Sequence, residues 1–154
     1  MADRSNQSPI STHDSPWMAV AMKEIGQKEL RGVQDNPRIL LYHATTSLHA
    51  TTDEIAWCSA FVNWCLKQVG IHGTNSAAAS SWLHWGKISV PMPGAVTVVK
   101  STTTGENHVA FFISEGQSHY TLLGGNQSHQ VRLSNFPKRS YVVLGHRWPV
   151  YESD

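Results

Sequence analysis

Residues 53–70 read DEIAWCSAFVNWCLKQVG, and this stretch decides the fold. Cys58, Phe61, Val62, Cys65, Leu66 and Val69 recur at i, i+3, i+4, i+7, i+8 and i+11, which is one face of a 3.6-residue helix. Gly70 stands where a C-terminal glycine would close that helix. Upstream, Thr51 with Glu54, or Asp53 alone, can cap its start. Cys58 then falls within about the first turn, where the helix dipole and free N–H groups favour a thiolate. Cys65 lies a turn or two deeper and reads as core. Seven positions on one helix put the two Cα atoms about 10 Å apart, beyond disulfide reach, so both cysteines are expected to be free thiols.

Outward from this helix the chain divides into two halves. Ser15-Pro16-Trp17 opens a helix continuing through Val20, Ala21, Glu24 and Ile25, and Asn36-Pro37 opens a second through Tyr42. The segment His43–Thr52 lacks a period and reads as a loop. Ala77–Trp85 reads as a short helix ended by Gly86. After Pro93-Gly94 the character becomes β, with strands expected at Ala95–Lys100, His108–Ser114, Tyr120–Leu123, Val131–Leu133 and Tyr141–Arg147. Helices followed by an antiparallel sheet define an α+β domain. The expected organisation is a flexible leader over 1–15, a single folded domain over 16–150 and a short tail over 151–154.

Composition narrows the function. The chain has 154 residues, 40% hydrophobic and 15% charged, which suits one folded domain rather than a disordered chain or coiled coil. Twelve basic and eleven acidic residues leave a formal charge of +1, so no electrostatic footprint for nucleic acid or an anionic membrane exists. No run approaches the roughly 20 apolar residues of a membrane span, and MADRSNQSPISTHDSP lacks the apolar core of a signal peptide. The expectation is synthesis in the cytoplasm.

A thiolate nucleophile needs a base, usually His, held by a third polar group. Of the nine histidines, His108 opens the most apolar strand, HVAFFIS, after the polar turn Thr104-Gly105-Glu106-Asn107. His119 and His146 also border strands, so His108 leads without being alone. The third element is Gly124-Gly125-Asn126-Gln127, where the glycines permit close backbone approach and Asn126 can hydrogen-bond an imidazole. Taken alone, Gly-Gly-Asn also reads as a hairpin turn.

The blocks Asp53–Trp64, Ser81-Trp82-Leu83, Pro93-Gly94, His108-Val109-Ala110-Phe111 and Gly124-Gly125-Asn126-Gln127 resemble the papain-like cell-wall hydrolases, the CHAP amidases and their NlpC-type relatives. The similarity runs over roughly residues 16–148 and is greatest to a small single-domain subgroup of phage lysins and bacterial peptidoglycan-degrading proteins. It implies a papain-like fold with Cys58 as nucleophile, His108 as base and Asn126 as the residue that orients it. It implies no cofactor and no metal. Two departures stand out: no acidic residue lies near the third member, and Ala110 stands where a Gly is common.

The implied substrate is an amide bond in the peptide stem or cross-bridge of peptidoglycan. The implied setting is the cell wall, reached through a phage lysis system or a secretion machine, with an immunity protein as partner in the second case. The protein is expected to be a monomer without membrane insertion. Trp57, Trp82 and Trp85 are candidates for the groove or for the core. Two other functions compete: a catalytically inactive wall-binding module of the same fold, and a metal-dependent amidase. The second would want His-Glu-x-x-His or Cys-x-x-Cys, and neither occurs.

Overall fold

The computed structural model describes residues 15–30, 35–47 and 56–150. The leader before Ser15, the caps at Thr51, Asp53 and Glu54, and the tail over 151–154 lie outside the described residues. Helix α1 spans Pro16–Lys23 and α2 spans Pro37–His43, each with Pro in its first turn, where a missing N–H costs nothing. The Asn36 side chain caps α2 by accepting from the Arg38 N–H at 2.8 Å. Helix α3 runs Cys58–Gln68 and begins on Cys58 itself. Its end is a Schellman motif: Gly70, at φ 79°, donates to the Lys67 carbonyl and Ile71 to that of Leu66. The expected short helix is a 3-10 helix over Ala79–His84.

Six antiparallel strands follow: β1 Lys87–Ile88, β2 Val96–Ser101, β3 Asn107–Glu115, β4 His119–Gln127, β5 Gln130–Pro137 and β6 Tyr141–Trp148. Their order in the sheet is β1-β6-β2-β3-β4-β5. The expected strands are all present, β4 and β5 are longer than their apolar residues suggested, and β1 had no sequence signal. The α+β architecture is as expected. No helix among the described residues is long and apolar enough to cross a membrane.

Both faces of the central strands are buried, for different reasons. One face, with Val96, Val98, Val109, Phe111, Ile113, Leu123 and Val131, packs under the helices and the rings of Trp17, Tyr42, Trp57 and Phe61. The other carries Ala95, Val99, Ala110, Phe112, Leu122 and Phe136, and the sheet covers these by curling on itself. Strands β5 and β6 are four strand intervals apart, about 19 Å in a flat sheet, while residues 138–140 bridge at most about 14 Å. The connection therefore forces curvature, and the Phe136 and Tyr141 rings meet at 4.9 Å.

The β4–β5 hairpin corrects one sequence reading. Gly-Gly-Asn is not the turn. The pairing Gln127↔Gln130 makes Ser128-His129 a two-residue loop, and both adopt left-handed backbone, at φ 54° and 64°. Such a turn favours Asn-Gly, because a side chain with a branched or bulky Cβ is strained there. The His129 side chain is 79% exposed and its 3.5 Å contact with Glu29 offsets little of that strain. Replacing Ser128-His129 by Asn-Gly should raise the thermal midpoint by about 3 °C, on the scale of 1 kcal/mol for relieving two strained residues. An unchanged or lower midpoint in calorimetry would show that the native pair makes a compensating contact.

Candidate active site

Helix α3 starts at Cys58 because the preceding residue is pinned from two sides. The Trp57 indole Nε1 donates to Glu29 Oε2 at 2.8 Å, and its ring, fully buried, packs on Tyr42 at 5.7 Å. The Trp57 carbonyl accepts the first intrahelical bond, from Phe61. One residue on, Ser59 Oγ donates to the Ser76 carbonyl at 2.6 Å and accepts from Trp82 Nε1 at 2.8 Å. Asn63 continues the tie by donating to Ser59 and Ser76 carbonyls and accepting from the Asn75 N–H. The blocks around Trp57–Asn63 and Ser81–Leu83 thus share one hydrogen-bond network. Trp57 and Trp82 are core residues, and none of the three candidate tryptophans lines the cleft described below.

The Cys58 side chain sits between the helix start and the end of β3. Strands β3 and β4 pair only as far as Phe111↔Leu123, so the Val109 N–H is left to α3. The N–H groups of Val109 and Ser59 donate to the Cys58 sulfur, and the His108 side chain completes the ring of partners. Burial pushes the thiol up, but the facing His108 charge and hydrogen bond, with those two N–H groups, bring it below its ordinary value. His108 shows the mirror image. Burial pushes its imidazole down, and the Cys58 charge, the Cys58 hydrogen bond and a bond donated to Gln127 carry it above its ordinary value. The pair favours thiolate and imidazolium together.

The third partner of the imidazole is Gln127. His108 Nε2 lies 3.0 Å from Gln127 Oε1. The Gln127 Nε2 donates to the carbonyls of Arg132 at 2.8 Å and Leu122 at 3.3 Å. Two carbonyl acceptors fix which end of the carboxamide is NH2, so the oxygen must face the ring. Nε2 therefore carries a hydrogen, and Nδ1 is the nitrogen left for the sulfur. Phe136 stacks on the ring at 5.5 Å and blocks its rotation from the other side.

Asn126, expected in that role, does not touch the ring. Extending the Phe111↔Leu123 register by three residues does place Asn126 opposite His108. A bulge intervenes: Gly124 pairs with Arg132 but Gln127 with Gln130, so β4 has one residue more than β5 here. The extra residue re-aims the chain, and Gln127 arrives where Asn126 would have been. Gln127 was present in the motif, but two glycines followed by Asn was the only sign of a bulge, and it reads equally as a turn. Of the other candidates, His146 bonds Thr97 Oγ1 at 2.8 Å, and neither it nor His119 lines the cleft.

Cys58, His108, Asn126 and Gln127 open into a cleft of about 670 Å³. Its walls are mostly neutral and polar, with Ser101, Thr104, Asn107, Ser134 and Asn135, and with Phe136 and Tyr141 as apolar surfaces. Glu106 and Arg132 are the charged residues besides His108 among the lining set. Cys58 is 9% exposed, enough for its sulfur to border the cleft.

An α+β domain that faces a helix-terminal thiol with an imidazole on a strand and a carboxamide behind it defines a class of site suited to acyl transfer. The CHAP domain model matches residues 50–126, half of the chain, and the chain belongs to that family. CHAP domains generally hydrolyse peptidoglycan, as amidases or peptidases. No curated protein matches the chain.

The geometry separates the two cysteines in solution. Iodoacetamide should label Cys58 at pH values below the ordinary thiol range, because its thiolate persists there, while Cys65 stays unlabelled in the folded protein. His108→Ala removes the facing charge and its hydrogen bond and leaves burial opposed only by the two N–H groups, so the labelling profile should move to higher pH. Gln127→Ala removes one of the bonds that raise the imidazole, so the alkaline limb of activity should move to lower pH. An unmoved limb in a folded Gln127→Ala protein would break the link between the carboxamide and the ring.

Proposed function

We propose that this chain is a cysteine hydrolase that cuts an amide bond in the peptide stem or cross-bridge of peptidoglycan, with Cys58 as nucleophile, His108 as acid and base, and Gln127 as the positioning residue. The observation that carries this reading is the fixed carboxamide. It sets the tautomer of His108, and that tautomer presents Nδ1 to the sulfur. Membership of the CHAP family supports the substrate class.

The Cys58 thiolate attacks the amide carbonyl carbon and forms a C–S bond, and the carbonyl electrons move onto oxygen. The Cys58 backbone N–H, at the start of α3, has no acceptor among the described residues and points with the helix dipole toward that oxyanion. The imidazolium gives its Nδ1 proton to the departing nitrogen as the C–N bond breaks, leaving a thioester and a neutral ring. Water then attacks the thioester, Nδ1 takes its proton, and the acid product leaves as the thiolate and imidazolium are restored. Gln127 accepts from Nε2–H throughout and moves no proton.

The pH dependence follows from the two directions. Acid conditions protonate Cys58 only below its lowered value, and alkaline conditions discharge His108 only above its raised value. Activity is therefore a bell between two macroscopic values that belong to the pair. Two settings suit the activity: release by a phage lysis system, or export by a secretion machine with an immunity protein protecting the producer.

Cys58→Ala and Cys58→Ser should abolish release of soluble fragments from sacculi without loss of fold, and Cys65→Ala should keep activity while costing about 1 kcal/mol of stability for a small core truncation. Mass spectrometry of the digest should show new termini at an amide bond. Produced in a bacterium with a periplasmic targeting signal, the wild type should lyse the cell and Cys58→Ala should not. Turnover by Cys58→Ala, or wild-type binding to sacculi without any new termini, would overturn the hydrolase reading in favour of a wall-binding module.

A further inference from the structure

Asn126 is held in the cleft wall in a way that its fold does not require. It lies in the β4 bulge at φ 56°, the left-handed region, where glycine would sit without strain. It is half-buried and lines the cleft together with Cys58 and His108. Its side chain makes no hydrogen bond among the described residues, although Gln127 next to it makes three. The residue before it, Gly125, is pressed against the Trp57 ring and Phe61, so the segment cannot swing away from the start of α3. A carboxamide with no protein partner among those residues, fixed beside a nucleophile in a cleft of neutral polar side chains, is free to bond a complementary ligand.

We propose that Asn126 is a substrate-binding residue whose carboxamide pairs with a backbone peptide group of the peptidoglycan peptide beside the scissile bond. This rests on the hydrolase reading above and assigns Asn126 a task distinct from orienting the imidazole. A carboxamide carries an acceptor and two donors in one plane, and a peptide group offers a C=O and N–H to match. Ser101, Thr104, Asn107 and Asn135 across the cleft extend the same neutral hydrogen-bonding surface. The bulge therefore serves two ends: it delivers Gln127 to the ring and frees Asn126 for the substrate.

Asn126→Gly separates this role from a purely conformational one, since glycine suits the backbone better than asparagine. On soluble peptidoglycan fragments, Asn126→Gly and Asn126→Ala should each raise KM about tenfold, the scale of one or two lost neutral hydrogen bonds. The kcat and both limbs of the pH profile should stay as in the wild type, and Asn126→Gly should melt no lower. In the inactive Cys58→Ala background, Asn126→Gly should weaken binding of the same fragments by a similar factor. Wild-type KM and binding in Asn126→Gly would overturn the proposal and leave Asn126 as a residue tolerated by the bulge. A loss in kcat with a moved alkaline limb would also overturn it, by returning Asn126 to the support of the ring. Either result leaves the hydrolase reading standing, because that reading fails only if Cys58→Ala retains turnover or the wild type binds sacculi without making new termini.

Discussion

Strand β4 approaches its neighbours at Gly124 and Gly125 more closely than any side chain would permit. A Cβ on Gly125 would stand 2.7 Å from both the Trp57 ring and the Phe61 Cβ, and one on Gly124 would stand 2.5 Å from Gln127 Oε1 and 2.7 Å from the Ala110 Cβ. The first gap lets the first turn of α3 lie directly on the sheet. The second lets the Gln127 side chain fold back along its own strand to meet His108. Thiol, imidazole and carboxamide come from three elements, and the absence of two side chains is what brings those elements within hydrogen-bonding distance. Ala110, the residue that departs from the common Gly, is the neighbour that limits Gly124, so the small side chain there belongs to the same contact.

Much of this was legible in the sequence because it depends on local rules. The α3 face from Cys58 to Val69 follows helical period, Gly70 follows the demand for left-handed backbone at a helix end, and His108 follows from a polar turn meeting an apolar strand. The illegible parts depend on register. A strand bulge shifts every later side chain, and the sequence around Gly124 does not state whether the extra residue is taken up in the turn or before it. That ambiguity is the whole distance between Asn126 and Gln127. Phe136 is a second example: it reaches His108 only because the three-residue connection from β5 to β6 curls the sheet, and no local pattern at Phe136 announces it. The strand β1 is two residues long and exposed, so it had no apolar alternation to read.

The two cysteines of α3 show why position within one helix decides chemistry. Both are buried, and burial alone pushes each thiol up. Cys58 meets an imidazole and two donated N–H groups at the helix start, and the balance reverses. Cys65 meets the Glu24 carboxylate instead, and its thiol is pushed well above the ordinary range. Glu24 is itself held there by Tyr42 Oη, which donates to it at 2.6 Å, and by the Arg38 guanidinium at 3.3 Å. One end of the helix stabilises a thiolate and the middle suppresses one, with no change of residue type.

The neutrality of Gln127 fits the same balance. A buried imidazolium is stable here chiefly because it faces the thiolate, and the thiolate is stable because it faces the imidazolium. A carboxylate behind the ring would add a second anion competing for that one cation and would carry its own desolvation cost. A carboxamide fixes orientation and tautomer through hydrogen bonds alone, and its two donated bonds to the Leu122 and Arg132 carbonyls keep it from flipping. The charge that activates the sulfur is therefore not shared with the group that aims the ring. That division of labour suits a site in which the residue behind the ring is a neutral carboxamide.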